Sequence, residues 1–149
     1  MTTDFEAVKA GLQAVIPFNN HLGLRYEEVS AGRSVVTLPD DPRLHNHIAT
    51  QHAAGMFAAG EAASGGAFAG TFADLMGSVV PLAESAEISY KKIARGPLTA
   101  TAVLEGDREA LLVTLEDEGR MRFPVRIELT DEAGLTVAEM VVRWYVKKS

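Results

Sequence analysis

The stretch NHIATQHAAGMFAAGEAASGGAFAG, residues 46–70, decides how the rest of this chain is read. Phe57, Glu61, Ser64 and Phe68 stand at i, i+4, i+7 and i+11, so one helical stripe carries all four, and 52–69 is predicted as the main helix. Glycines at 55, 60, 65 and 66 each weaken it by roughly 1 kcal/mol relative to alanine. Only tertiary packing holds such a helix, so burial is predicted. Side chains this small let another backbone approach closely, whether a sheet wrapped round the helix or a second copy of it. Glu61 lies inside the run with no Lys or Arg near it in sequence. An ionised carboxylate in such a place is costly unless it is paired, hydrogen-bonded or used.

Working outward, Phe5, Val8, Leu12, Val15 and Ile16 have helical spacing, and Pro17 with Asn19-Asn20 is expected to stop that helix. Residues 22–29 and 33–38 read as two strands joined by a turn at Ser30-Ala31-Gly32. A loop over 39–51 holds Asn46 and two histidines, His45 and His47, just ahead of His52. A short helical continuation is predicted over 71–82, ending at Pro81. Residues 86–93, 98–105, 120–130 and 135–147 are predicted strands. In the last, Val142, Trp144 and Val146 share one face, and Arg143, Tyr145 and Lys147 the other. Pro124 predicts an edge or a bulge in its strand. A short helix is predicted over 107–118, with Asp107 as its cap, Gly119 as its end and Leu111, Leu112 and Leu115 inward. This order fits one α+β domain over residues 1–149, a sheet curled round one central helix.

Composition narrows the function. A net charge of −6 argues against non-specific nucleic-acid binding. With no cysteine, disulfides, thiolate nucleophiles and Cys-ligated zinc are excluded. The first residues carry acids early and do not read as a signal peptide, and the apolar runs are too short and Gly-rich to span a bilayer. A cytoplasmic protein without membrane partners is the expectation. His45, His47 and His52 lack a carboxylate ligand pattern, so neither a metal nor any other cofactor is expected.

Asn46, the His52-Ala53-Ala54 run and Glu61 nine positions after the histidine resemble the motif of hot-dog-fold acyl-CoA thioesterases, in particular the phenylacetate-pathway type. The likeness extends to PFNNHLGL near the start and ISYKKIARGPLTA after the helix, and it reaches a branch of mostly uncharacterised bacterial relatives. The resemblance implies an antiparallel sheet wrapped round a long central helix. It implies that the Ala53 N–H polarises a thioester carbonyl, His52 orients the thioester, Asn46 holds the acyl or water side, and Glu61 is nucleophile or general base. Two departures stand out. The family's double glycine after the histidine is Ala53-Ala54. A Ser or Thr four residues after the acid is replaced by Gly65, with Ser64 one residue earlier.

Helical geometry adds a constraint. Nine residues turn a helix through about 900°, so Glu61 points roughly opposite to His52. Two copies side by side present both groups to one substrate, which predicts a homodimer, paired again where a homotetramer forms. Ser64 and Phe57 are candidate pocket residues. Lys91, Lys92 and Arg95 are candidate partners for CoA phosphates, with Lys91 and Arg95 favoured because alternating strand directions keep Lys91 and Lys92 apart. Plainer readings stand beside these. Glu61 serves equally as a structural carboxylate, His52 as a helix opener, Asn46 as a turn residue, and the basic cluster as a solvated strand end. The leading expectation is an acyl-CoA thioesterase, the alternative a non-catalytic acyl or acyl-CoA binding protein on the same fold. A hydratase lacks its acid–histidine spacing here, and a purely structural dimer is the remaining rival.

Overall fold

The computed structural model describes residues 2–149. Asp4 caps the first helix, α1 (Phe5–Val15), by accepting from the Ala7 N–H. Pro17 does not stop helical structure. It opens a second short helix, α2 (Pro17–Leu22), because at the first helical position its missing N–H would be unpaired anyway. The chain then turns at Gly23, φ 74°, so the first strand, β1 (Arg25–Ser30), begins three residues later than expected. Gln13 ties α1 to it, donating to the Leu24 carbonyl and accepting from the Tyr26 N–H.

After β2 (Arg33–Leu38) come α3 (Ala53–Thr71), β3 (Val79–Tyr90), β4 (Leu98–Leu104), α4 (Arg108–Glu118), β5 (Arg120–Thr130) and β6 (Thr136–Lys148). The strands form one antiparallel sheet in the order β1-β2-β4-β5-β6-β3, with α3 against its inner face. This is the hot-dog fold, α+β as the sequence predicted. The final helix matches its reading: Asp107 accepts from the Ala110 N–H, Gly119 at φ 75° ends it, and Leu115 is buried.

Two expectations are corrected. No helical continuation fills 71–82. A single 3-10 turn, Ala73–Leu75, leads into β3, and Pro81 lies within that strand. β3 is an edge strand, where a residue without an N–H is tolerated. Pro124 marks no bulge, since β5 keeps register with β6 past it, and β5 lies between β4 and β6 over most of its length, with only its β4 side open at Pro124. Its carbonyl accepts from the Glu105 N–H, one residue beyond the end of β4. The missing N–H lies on that same side, where the β4 ladder has stopped.

The inner face is filled by α3, of whose 19 residues 12 are buried. Three glycines bring it onto the sheet. A Cβ added at Gly60 would stand 2.5 Å from Met140 Sδ, at Gly66 2.2 Å from Ser34 Oγ, and at Gly70 2.1 Å from the Ser30 carbonyl oxygen. Phe68 stacks on both Phe123 and Trp144, each with centroids 6.0 Å apart. Thr71 Oγ1 accepts from the Gly32 N–H and pins the end of α3 to the β1–β2 turn.

The glycines differ in what they permit. Gly70→Ala drives a methyl into backbone that cannot step aside, and should lower stability by at least about 1–3 kcal/mol. Gly11, exposed inside α1, has nothing within 4 Å of an added Cβ, and Gly11→Ala should raise stability by about 0.5–1 kcal/mol. Urea unfolding of the two variants checks both signs.

Candidate active site

The start of α3 is organised by the loop before it. Asn46 Oδ1 accepts from the Ile48 and Thr50 N–H groups, and Asn46 Nδ2 donates to Thr50 Oγ1 and the Gln51 carbonyl. This clamp holds Ala49 at φ 60°, a left-handed conformation that costs a residue with a Cβ of order 1 kcal/mol. Gln51 is buried, and its Nε2 donates to the carbonyls of Pro39 and Gly96. The loop thereby delivers His52 to the N-cap of α3. His52 Nδ1 accepts from the Ala54 N–H at 2.9 Å, so the neutral ring carries its proton on Nε2, as a free donor. Among the described residues, no acceptor meets the N–H of Ala53 or Gly55. Those two groups and the helix dipole form a partially positive end.

A hollow of about 360 Å³ opens at this end, lined in part by Asn46, Ile48, Ala53, Tyr90, Lys91 and Lys92. Tyr90 Oη donates to the Ala53 carbonyl across it. Lys91 and Lys92 both line it because the chain is no longer a regular strand there: both backbone N–H groups donate to the Val137 carbonyl. The expected alternation, which kept them apart, ends at Tyr90. Arg95 is exposed and is not among the residues lining the hollow.

Two turns further along α3, Glu61 is half-buried on the stripe that the sheet leaves uncovered. Phe57 precedes it on that stripe, 36% exposed. Among the described residues, no hydrogen bond or ion pair reaches the Glu61 carboxylate, and burial pushes its pKa up from the ordinary carboxylate value. Behind it Tyr26 is buried, with Oη donating to the Ala62 carbonyl and accepting from Asn19 Nδ2. Burial and then the charge of Glu61 push the Tyr26 phenol well above its usual range.

Ser64 does not line a pocket. It is fully buried, its Oγ donates to the Glu61 carbonyl at 2.7 Å and accepts from Trp144 Nε1 at 3.0 Å. A ligand cannot reach it, because the indole has taken that side. Gly65 leaves space: a Cβ there would meet only Trp144, at 3.8 Å. Ala53, Asn46 and Lys91 therefore gather at one hollow with His52 beside them, while Phe57 and Glu61 share the uncovered stripe. Sequence reading missed Tyr26, Asn19 and Tyr90. Their roles depend on what stands opposite them in space, and no local pattern marks them. Among the described residues, no three His, Cys or carboxylate side chains gather where an ion would be held, and no helix is long and apolar enough to cross a membrane.

Residues 5–146 match the family DUF4442, described as a domain of unknown function. The chain belongs to that family. No curated protein matches it. Among solved structures, it is similar to a Pseudomonas aeruginosa protein described as of unknown function and a probable thioesterase. The two are 23% identical, with 97% of this chain and 95% of that one covered and a TM-score of 0.85. A thioesterase family protein from Silicibacter pomeroyi is 16% identical over 97% of this chain and 98% of its own, TM-score 0.79. The E. coli PaaI protein, from the phenylacetic acid degradation operon, is 16% identical over 97% and 92%, TM-score 0.75. At these identities the likeness is one of fold.

His52→Ala removes the cap and should lower stability by about 1 kcal/mol, while His52→Asn should restore most of it. Thermal unfolding of the two variants separates the capping role from any chemical one.

Proposed function

We propose that this chain hydrolyses an acyl thioester of CoA at a site completed by a second copy of itself. The observation that carries the reading is Glu61, a half-buried carboxylate with no partner among the described residues, on the same helix as two free N–H donors. Water adds to the carbonyl carbon, giving its proton to Glu61, and the carbonyl oxygen takes up negative charge. Free N–H groups at the start of α3 are suited to hold that oxygen, and His52 Nε2–H is a further donor beside them. The C–S bond then breaks and the thiol leaves with a proton. A direct attack by Glu61 needs the same ionised form.

Two uncovered surfaces support the second copy. β3 is a 12-residue edge strand. Its Ala83, Ala86 and Ile88 stand opposite Trp144, Val142 and Met140, hence on the inner face, yet none of the three is fully buried. Edge-to-edge pairing along β3 would cover them together with the Phe57–Glu61 stripe. It would also set His52 of one copy against Glu61 of the other, which one helix cannot do alone. A second reading, an acyl-CoA binding protein without turnover, has one observation in its favour: no hydroxyl serves Glu61, since Gly65 has none and Ser64 is locked to Trp144. A hydrolysis panel over short, medium and aromatic acyl-CoAs decides between the two.

Glu61→Gln keeps the shape and removes the charge. Turnover of the best acyl-CoA should fall by at least roughly a hundredfold. The raised folded-state pKa also has a sign for stability. The folded protein holds this proton more tightly than the unfolded chain. Stability therefore falls as pH rises from the ordinary glutamate value through the raised one. At neutral pH Glu61→Gln should unfold at a higher temperature than wild type while losing activity. A less stable Gln variant with full turnover would remove Glu61 from the chemistry.

The anionic end of CoA needs a local cluster, since the chain carries a net charge of −6. Lys91 and Lys92 are the cations of the hollow. Lys91→Ala with Lys92→Ala should raise KM severalfold with little change in kcat, and the difference should shrink as salt rises. Steady-state kinetics at two ionic strengths reads this directly.

A further inference from the structure

We propose that the Tyr90 hydroxyl oxygen accepts the N–H of the substrate's cysteamine amide, the amide nearest the sulfur in the pantetheine arm of CoA. The inference rests on the thioesterase reading above and says how that site recognises what lies beyond the sulfur. Four side-chain oxygens line the hollow at the start of α3, those of Asn46, Thr50, Gln51 and Tyr90. Three of them are spent or out of reach. Asn46 Oδ1 holds the N–H groups of Ile48 and Thr50. Thr50 is buried, and its Oγ1 takes Asn46 Nδ2. Gln51 Oε1 is buried beneath the surface, where no ligand in the hollow meets it.

Tyr90 differs. It is the last residue of β3 and is 46% exposed. Its single O–H is committed to the Ala53 carbonyl, at 3.0 Å. A phenol that has placed its proton keeps its lone pairs and has nothing left to donate. Among the described residues, no group donates to Oη, so it stands at the hollow as an open acceptor. Its neighbours there do not compete for that role. Lys91 and Lys92 bring donors only, and Ile48 and Ile93 bring exposed apolar surface. The group that suits this wall is therefore one N–H within an otherwise apolar stretch.

Ala53 sets the other requirement. Its N–H has no acceptor among the described residues and suits a carbonyl oxygen. One residue thus carries both anchors, its N–H for the carbonyl and, through Tyr90 on its C=O, an acceptor for the amide. The spacing between them is that of a single residue. An acyl-CoA presents the matching groups in the same order and as close together. Its thioester carbonyl is followed by sulfur, two methylenes and a secondary amide N–H. With the thioester oxygen at Ala53, that N–H comes within reach of Oη. An amide that enters the hollow without this acceptor loses its water and gains no partner. The contact is between uncharged groups, so salt does not screen it, unlike the contacts of Lys91 and Lys92 with phosphate.

The test changes one atom on each side of the contact. Hexanoyl and phenylacetyl groups are each presented on N-acetylcysteamine and on the isostere in which an ester oxygen replaces the amide N–H. Tyr90→Phe keeps the ring and removes the hydroxyl. Wild type should favour the amide about tenfold in kcat/KM, and in Tyr90→Phe that ratio should fall to about one, at low and high salt alike. A hydroxyl that only braces Ala53 affects both substrates equally and leaves the ratio where it was. The same pairs with a methylene inserted between carbonyl and sulfur cannot be hydrolysed, and calorimetry reads their ratio as dissociation constants. An amide preference that Tyr90→Phe abolishes supports the contact with or without turnover, and a lack of turnover then removes the thioesterase reading alone. Equal handling of the two isosteres by wild type, or a preference that Tyr90→Phe leaves intact, overturns the contact while hydrolysis keeps that reading standing. Neither binding nor turnover of any of them also overturns the contact, and the acyl-CoA panel then decides the reading by itself.

Discussion

The fold depends on how close α3 comes to the sheet. At Gly66 and Gly70 there is no room for a Cβ, and at Gly70 the obstacle is backbone that cannot rotate away, while at Gly60 a Cβ would have to displace the Met140 thioether. The same residues make α3 a poor helix by itself, since each glycine costs roughly 1 kcal/mol in a helix interior. Helix and sheet therefore form together or not at all. The tight fit also places Phe68 against Phe123 and Trp144, and Trp144 over Ser64.

A helix used so fully for packing leaves one stripe free. Burial on that stripe raises the pKa of Glu61, and no ion pair among the described residues lowers it again. The free energy lost by holding a charge there is a cost that the core does not require, because an alanine would fill the stripe as well. Tyr26, bonded to the carbonyl of the next residue, fixes the turn of helix that carries the carboxylate. Position and protonation of Glu61 are thus set by the packing behind it.

Much of this was legible in the sequence because it is local. The Ala and Gly content of 46–70 spoke for close packing, the alternation in 142–147 for a half-exposed strand, and Asp107 with Gly119 for both ends of α4. What failed was decided elsewhere in the chain. Pro17 and Pro81 each permit two outcomes, a stop or a start and a helix end or an edge strand, and for Pro81 sheet order chooses. Lys92 was set aside on strand alternation, which breaks because one carbonyl, that of Val137, accepts from both lysine N–H groups. Ser64 looked available until an indole 80 residues away claimed its hydroxyl. Glu61 stood out from the start, since an uncompensated acid among alanines needs no tertiary information to be noticed.

Under the proposed function, the capping residue of α3 serves both structure and chemistry. A helix start needs acceptors for its free N–H groups, whereas an oxyanion needs those groups left free. His52 meets one demand without removing the other, because its Nδ1 takes only the Ala54 N–H and leaves those of Ala53 and Gly55 open. Ser or Asp would cap as well or better. Asp would leave no donor behind and Ser only a short hydroxyl, whereas the bond to Nδ1 fixes the remaining proton on Nε2 at the far side of a longer side chain. The Asn46 clamp and the left-handed Ala49 bring the backbone to this point at some cost in strain. That expense is understandable where donor direction matters, and less so for a helix start that any small polar residue would serve.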